Sequence, residues 1–325
     1  MIQTCMEKRN ATIDFFRIIA AVLVIVIHAG LRGLFGVSVT VALYAVPFFM
    51  LVTGYFYFIN PSRERLNKVI KKTLWLWFIW MIIYLPAGIK IYVRAHAEGA
   101  SALRMVLDSV VGESVCYGGS WYLMAVVVGL LVVDYLRRHN LMALCHTIAA
   151  AILIILCFDT NYRPIVAHVP MVHVNLATTV ITGILWIDIS YIIATKKEWL
   201  LEHFGEWRWF IIAVALTVCE YVMRRCTLGE LSMKYNDMWI TLPVSMVLIF
   251  TVILKHPNMQ PKEHAIKFRD FATLLFFISF GVIDVCRLPQ SVGGCTLVII
   301  ITAFLAAFIM MLSHRKSFKW LKRLY

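Results

Sequence analysis

Long apolar windows, each bounded by a short polar stretch, are the feature that most constrains how this chain can fold. They run for about 17 to 22 residues, and at about 1.5 Å of rise per residue a helix of that length crosses a hydrocarbon core of about 30 Å. The composition agrees, because 61% of the 325 residues are hydrophobic and only 15% are charged. Soluble domains carry about 25% charged residues. The sequence therefore predicts an all-α, polytopic membrane protein of about ten transmembrane helices, with a single domain over residues 1–325. The predicted spans are residues 12–32, 38–59, 73–93, 120–136, 141–158, 173–194, 208–224, 237–254, 268–287 and 293–312.

The distribution of Lys and Arg sets the predicted orientation. Basic residues are concentrated at both termini and in the linkers that follow every second span, and cytoplasmic loops of membrane proteins carry such an excess. Both termini are therefore predicted to be cytoplasmic. The net charge of +13 comes with no nucleic-acid signature, so no nucleic-acid partner is expected. The basic linkers are Arg63 to Lys72, Arg137 with Arg138, Lys196 with Lys197, and Lys255 to Lys267.

Three other segments have predicted places relative to the membrane. The C-terminal tail, residues 313–325, combines basic and aromatic residues and is expected to rest on anionic membrane lipid. Residues 101–112 form an amphipathic stretch that is too short to span, so it is expected to lie in the outer interface. The first window contains Asp14 and Arg17 and is followed by no small-residue cleavage pattern, so it is expected to remain in the mature protein.

Three ionisable residues inside the first span are the strongest functional signal. Asp14, Arg17 and His28 recur at helical spacing, so they lie along one stripe of the helix. Ionisable side chains within a span usually face the protein interior or a wet cavity. From Arg17 to His28 the helix rises about 16 Å, so Arg17 is predicted near the inner side and His28 near the outer side. The alternative is that Asp14 and Arg17 form a purely structural i,i+3 ion pair and that His28 is an interfacial residue.

Further polar residues are predicted near the outer end of the bundle. Glu220 lies in an apolar window, and either a functional role or pairing with Arg224 one turn later explains it. Asp237 opens the eighth span. Trp121 and Tyr122 open the fourth span, where an aromatic belt at the interface is the ordinary explanation and a sugar or acyl-chain platform is the functional one.

Three motifs resemble the acyltransferase-3 family of bacterial membrane acyltransferases. Arg17, ten residues and His28 meet the family's helix-one signature, AVPFFMLVTGYFYF is similar to its Pro-x-Phe-Phe-x-x-Ser/Thr-Gly segment, and GGSWYLMA looks like its Trp-Tyr/Phe-Leu segment. The stretches CEYVMRR and NDMWITLPVSM are similar to the membrane halves of vancomycin-resistance-type serine racemases. Many family members carry a second histidine in helix nine, where this chain has Ser279.

The resemblance implies a multi-pass O-acyltransferase of the bacterial cytoplasmic membrane. It would transfer an acyl group, expected to be acetyl, from cytoplasmic acyl-CoA to a hydroxyl of a cell-surface glycan or lipid-linked sugar. His28 would be the general base or acyl carrier, Glu220 would orient it, and Arg17 with Asp14 would hold donor phosphate. The implied donor-binding residues are Arg17, Lys71, Lys72 and Tyr55, and the implied acceptor-binding residues are Trp121, Tyr122, Arg224 and Asp237.

Two other functions remain open at this point. One is a transporter or flippase for an amino acid or glycan precursor, which buried charges in ten helices also fit. The other is a non-catalytic scaffold of a glycan-assembly complex. No metal is expected, because the eight cysteines form no CxxC pair and no Cys/His cluster at zinc spacing.

Overall fold

The computed structural model describes residues 10–29, 42–97, 102–112, 118–158, 176–228, 238–257, 259, 265–289 and 291–325, and no strand occurs among them. Each predicted span coincides with a helix in this part of the chain, and the amphipathic stretch at 101–112 forms α4. The α-helices are α1 Ala11–His28, α2 Ala45–Phe58, α3 Arg63–Ala97, α4 Ala102–Val111, α5 Ser120–Arg138, α6 Met142–Cys157, α7 Ile181–Thr195, α8 Lys197–Phe204, α9 Trp207–Leu228, α10 Thr241–Lys255, α11 Ala265–Cys286 and α12 Val292–Ser313. Short 3₁₀ segments occur at Leu176–Thr178 and Lys316–Leu324.

Helix length and composition identify this chain as an all-α polytopic membrane protein. Within the described residues, the four helices α1, α3, α5 and α12 are long and apolar enough to cross a membrane. The helices α2, α6, α7 and α10 are shorter and also apolar. The remaining long helices, α9 and α11, have 22 residues each and carry charged side chains within their length. The fold class predicted from the apolar windows is confirmed.

The third helix corrects one prediction. Residues 63–72 were expected to be a linker, but they form the first turns of α3, a single helix of 35 residues. The break before it falls at Asn60 and Pro61, and nothing between Arg63 and Lys72 interrupts a run of good helix formers. Ser62 accepts a hydrogen bond from the backbone N–H of Arg65 (3.2 Å), which fixes the start of the helix.

Large apolar side chains on the outer surface show how these helices meet their surroundings. Along α3, Trp75, Phe78 and Ile82 are exposed, and α12 exposes Ile300 and Phe304 in the same way. Exposed apolar patches of this extent are typical of a surface that contacts lipid.

The chain divides into two compact units. The first contains residues 1–49, 196–224 and 241–325, and the second contains residues 50–195 and 225–240. The helices α2 and α9 contribute residues to both units.

Ring contacts show the helix directions in the first unit. Phe15 of α1 contacts Phe268 of α11 (centroids 6.4 Å apart), and His28 contacts Phe280 (4.6 Å). The contacts advance together along both helices, so α1 and α11 run parallel. By contrast, Asn10 at the start of α1 donates a hydrogen bond to the carbonyl of Ile253 near the end of α10, so α10 runs antiparallel to α1. The predicted spans alternate in direction, and these helix directions agree with those expected for the first, eighth and ninth spans.

Small residues bring α5 and α7 together in the second unit. A Cβ atom on Gly183 would overlap the backbone carbonyl of Ala125, and one on Gly129 would overlap the carbonyl of Gly183. Small residues permit such close approach between helices in a membrane, where no hydrophobic force drives them together. Gly54 of α2 packs on Ser190 and Ile187 of α7 by the same means.

Candidate active site

The first helix carries an ion pair at its amino-terminal end. Asn10 caps the helix by accepting a hydrogen bond from the N–H of Ile13 (3.1 Å). One turn further on, Nη1 of Arg17 lies 2.8 Å from a carboxylate oxygen of Asp14. The Asp14 side chain is buried and that of Arg17 is largely buried. The i,i+3 pair weighed in the sequence is therefore present, and it holds the guanidinium on the protein-facing side of α1.

His28 is the last residue of the same helix, and its side chain is exposed. Between the ion pair and His28, the same stripe contains Ala21 and Val24, which are fully buried. The imidazole lies against Phe280 of α11, with the two ring centroids 4.6 Å apart and the rings inclined by 48°. This aromatic contact helps to fix the position of the imidazole ring at the end of α1.

The residue at the position of the family's second histidine is turned inward. Ser279 is buried, and its hydroxyl donates a hydrogen bond to the carbonyl of Phe276 within α11 (2.8 Å). At the next position of α11, the ring of Phe280 contacts His28.

Glu220 lies on α9, and its buried carboxylate contacts the first residue of α10. Only 3% of its surface is exposed, and one of its oxygens accepts hydrogen bonds from the backbone N–H (2.8 Å) and the hydroxyl (2.6 Å) of Thr241. The amino-terminal end of a helix favours a negative charge, which helps to explain how this carboxylate is accommodated. Arg224, one turn further along α9, is 2% exposed. Asp237 lies outside the described residues.

His28 and Glu220 lie at the same end of the first unit. The end of α10 meets the start of α1, where Thr12 donates a hydrogen bond to the carbonyl of His256. From that end α10 reaches Thr241 over about 21 Å, and α1 reaches His28 over about 24 Å. Arg17 lies about 16 Å from His28 along the helix. The unit therefore has a charged end at Asp14 and Arg17, and a base with a buried carboxylate at the opposite end.

A buried hydroxyl network lies one turn below Glu220. The hydroxyl of Tyr44 is hydrogen-bonded to that of Thr217, and Thr217 is 3.1 Å from the hydroxyl of Ser245. Ser245 in turn donates to the carbonyl of Ala213 (3.0 Å). Sequence reasoning missed this network, because single Ser and Thr residues in apolar helices often bond to their own backbone. The signal available in the sequence was the three-residue spacing from Thr217 to Glu220, which puts both residues on one face of α9.

The other predicted site residues belong to the second unit. Tyr55 is buried in α2, and Lys71 and Lys72 are exposed on α3. Trp121 and Tyr122 are half-buried in the first turn of α5. Because Arg17 belongs to the first unit, its joint action with Lys71, Lys72 and Tyr55 stays a prediction.

The second unit contains two buried carboxylates, Asp134 and Asp188, whose partners were not predicted from the sequence. Asp134 accepts hydrogen bonds from the hydroxyl of Tyr57 (2.6 Å) and from Arg137 (2.8 Å), and it pairs with Arg138. Asp188 pairs with His146. Tyr57 and His146 lie on other helices than the carboxylates they contact, so no local spacing reveals these two contacts, whereas Arg137 and Arg138 lie three and four residues after Asp134 on α5. Among the described residues, no group of three or more His, Cys, Asp or Glu side chains is arranged to hold a metal ion.

The fold and these buried polar groups define a multi-pass membrane protein with an accessible histidine at one end of a helical unit. Within that class, the chain belongs to the acyltransferase-3 family, whose profile, described as an acyltransferase domain, matches residues 10–279. It is therefore a membrane acyltransferase by family.

The curated relatives carry the name of a different enzyme. An amino-acid racemase of Enterococcus faecalis is 31% identical over 50% of this chain and 23% of its own length. A second amino-acid racemase of that species is 21% identical over 95% of this chain and 47% of its own length. A serine/alanine racemase of Enterococcus gallinarum is 23% identical over 78% of this chain and 39% of its own length. The chain thus spans less than half of these relatives, and no solved structure matches it.

Proposed function

We propose that this protein is an O-acyltransferase of the bacterial cytoplasmic membrane. It takes an acyl group, most simply acetyl, from a cytoplasmic acyl-CoA and transfers it to a hydroxyl of a cell-surface glycan or lipid-linked sugar. The observation that carries the proposal is the exposed imidazole of His28, fixed against Phe280 on a helix that also carries the Asp14–Arg17 pair. Membership of the acyltransferase-3 family supports the reaction class.

His28 acts on the acceptor hydroxyl in this proposal. A neutral imidazole removes the hydroxyl proton as the oxygen attacks the thioester carbonyl, the C–S bond breaks, and the protonated imidazole returns its proton to the departing thiolate. The same nitrogen can instead carry the acyl group transiently. Glu220, at the same end of the unit, balances the charge of the imidazolium.

Arg17 interacts with the acyl donor. Its guanidinium is always cationic, so it cannot serve as the base, but it suits a phosphate of the donor. Because Arg17 and His28 are about 16 Å apart along α1, a donor with a phosphate at Arg17 must be extended for its thioester to reach His28. Lys71, Lys72 and Tyr55 supply further donor contacts.

The acceptor is proposed to contact Trp121, Tyr122, Arg224 and Asp237. Half-buried aromatic rings such as those of Trp121 and Tyr122 suit stacking against a sugar ring or an acyl chain. Arg224 and Asp237 supply polar contacts to the acceptor.

The first test is a transfer assay with purified protein in nanodiscs, radiolabelled acetyl-CoA and cell-envelope glycan. Wild type is compared with His28→Ala, Arg17→Ala and the control His203→Ala. His203 is exposed, and within the described residues its hydrogen bond is to the carbonyl of Trp199 in its own helix. Steady-state transfer is expected to fall about 100-fold or more for His28→Ala, since a lost proton-transfer group costs at least that much. His203→Ala is expected to match wild type. A wild type that neither binds nor consumes acetyl-CoA would overturn the proposal.

The names of the relatives favour a second candidate function. All three are racemases of amino acids, and the matched region is less than half of each. A membrane domain that moves an amino acid across the bilayer would fit such proteins. Uptake of labelled serine or alanine by proteoliposomes, without any turnover of acetyl-CoA, would put this candidate ahead of acyl transfer.

A further inference from the structure

A histidine and an aspartate on two helices of the second unit form a pair that the activity proposed above does not use. His146 lies on α6 and Asp188 on α7. The Nδ1 atom of His146 is 3.0 Å and 2.9 Å from the two carboxylate oxygens of Asp188. Because an ionised carboxylate can only accept hydrogen bonds, Nδ1 carries the proton and donates it to Asp188. In the neutral ring Nε2 is then the basic and nucleophilic atom.

The two partners differ in exposure in the way that a reactive histidine requires. The Asp188 side chain is 2% exposed and that of His146 is 42% exposed. A buried carboxylate therefore orients a ring that a ligand can reach, as in catalytic pairs of His and Asp. The ring is also held beside Tyr191 (centroids 6.3 Å apart). Among the described residues, the hydrogen bonds of His146 all run through Nδ1, which leaves Nε2 available.

The pair lies at the basic end of the second unit. His146 is about one turn from the start of α6, which follows Arg137 and Arg138, and α7 ends shortly before Lys196. Tyr191, beside His146, contacts Phe58 at the end of α2 (5.3 Å).

The start of α3 lies at this same end of the unit. Arg65 in the first turn of α3 donates a hydrogen bond to the carbonyl of Phe56 in α2 (3.0 Å). The exposed Lys71 and Lys72 follow within the next two turns. A cationic end of this kind suits a donor that carries phosphates.

We propose that His146 is an acyl-accepting residue for the donor half of the reaction. The inference rests on the acyl transfer proposed above and divides it into two steps, so that CoA leaves in a first step at His146 and the acceptor hydroxyl attacks the acyl group only afterwards. Nε2 attacks the carbonyl carbon of the donor thioester, the C–S bond breaks, and the thiolate leaves while the acyl group stays on Nε2. The resulting cationic ring keeps its Nδ1 proton hydrogen-bonded to Asp188, whose negative charge stabilises it. An acceptor hydroxyl then attacks the acyl carbon, the C–Nε2 bond breaks, the hydroxyl proton passes to water, and the neutral ring is restored.

The experiment measures a single round of CoA release from radiolabelled acetyl-CoA. Hydroxylamine is added after the unreacted acetyl-CoA has been removed, and it captures the protein-bound acetyl group as a hydroxamate. It is done in the His28→Ala background, in which transfer to the acceptor is blocked. His146→Gln is the main variant, because its amide can still donate a hydrogen bond to Asp188 but cannot carry an acyl group. His139→Gln is the matched control, since His139 is exposed at the same end of the unit and contacts Tyr135.

The expected result is one equivalent of trapped acetyl group in the His28→Ala and His28→Ala/His139→Gln proteins. In His28→Ala/His146→Gln, release and trapping are expected to fall about 100-fold or more at an unchanged melting temperature. Full CoA release and trapping in that folded protein overturn the role of His146 and leave the proposed function intact. A wild type that releases no CoA overturns both.

A glycine variant covers the case in which His146→Gln does not fold. His146→Gly leaves a space that free imidazole can occupy. Recovery of CoA release on addition of imidazole supports the assignment. Recovery of the melting temperature without CoA release shows that the pair only ties α6 to α7, and overturns it.

Discussion

The carboxylate of Glu220 holds the first residue of α10, because one of its oxygens accepts hydrogen bonds from both the backbone N–H and the hydroxyl of Thr241. The first N–H groups of a helix have no partner within the helix, so the carboxylate supplies one across the gap between α9 and α10. Glu220 therefore has a structural role in addition to the charge-balancing role proposed for it.

Variants of Glu220 and of its partner Thr241 separate the two roles of Glu220. Thr241→Val removes one hydrogen bond to a charged group and is expected to lower the free energy of unfolding by about 1.5–3 kcal/mol. It leaves the carboxylate in place, so turnover below the melting temperature should be near that of wild type. Glu220→Gln is expected to lower both stability and turnover. Thermal unfolding in detergent and the transfer assay measure the two effects, with Thr241→Ser as the control that keeps the hydroxyl.

Equal losses of turnover in Thr241→Val and Glu220→Gln would contradict this separation. Such a result would mean that the carboxylate acts only by holding α10.

The Asp14–Arg17 pair gives a second prediction. Arg17→Met removes the cation of the buried pair, and loss of one partner of such a pair costs about 3–5 kcal/mol. Asp14→Asn in the same chain removes the charge of the carboxylate as well, so the double variant should recover much of the stability. If Arg17 holds donor phosphate, the double variant is folded but has a raised KM for acyl-CoA. Melting curves and acyl-CoA titrations of the three proteins check this.

An unchanged KM in a folded double variant would show that the pair only stabilises α1. The conservative variant Arg17→Lys keeps the charge and loses the paired N–H groups, so its KM is expected to lie between those of wild type and the double variant.

The helices were well predicted from the sequence because helix formation in a membrane depends on the local run of residues. A window of apolar residues long enough to cross lipid must satisfy its own backbone hydrogen bonds, so helix formation follows from composition alone. The missed start of α3 is of a different kind. Polarity at Arg63 to Lys72 indicated a linker, but polar residues with high helix propensity continue a helix out of the membrane unless a breaker intervenes.

The polar pairs were predictable only where both partners lie on one helix. Asp14 and Arg17 are three residues apart, and the i,i+3 spacing alone indicates their contact. His146 and Asp188 are 42 residues apart, and Glu220 and Thr241 are 21 apart. Such contacts depend on which helices are neighbours, which composition does not determine. A histidine inside an apolar window was the available signal for His146.

The close contact between α5 and α7 gives a third prediction. Gly183→Ala places a Cβ atom on the backbone carbonyl of Ala125, and backbone cannot move aside as a flexible side chain can. The helices must separate, so the variant is expected to lose about 1–3 kcal/mol or more. Gly293→Ala is the control, because nothing lies within 4 Å of its Cβ position. This change in α12 should be neutral or stabilising by up to about 1 kcal/mol. Equal melting temperatures for the two variants would contradict the contact.

The C-terminal tail gives the last prediction. In the segment Lys316–Leu324, Leu321 and Leu324 are buried while Phe318 and Trp320 are exposed, and Tyr325 is hydrogen-bonded to Ser313 at the end of α12 (2.8 Å). The tail is thus fixed to the protein with basic and aromatic side chains on its outer side, which suits contact with anionic lipid. Each cation near such a surface contributes about 1 kcal/mol. Wild type should therefore melt at a higher temperature in anionic nanodiscs than in zwitterionic ones. Replacing Lys319 and Lys322 with Gln should remove most of that difference and leave the melting temperature in zwitterionic lipid unchanged. A difference that survives the replacement would place the lipid contact elsewhere on the protein.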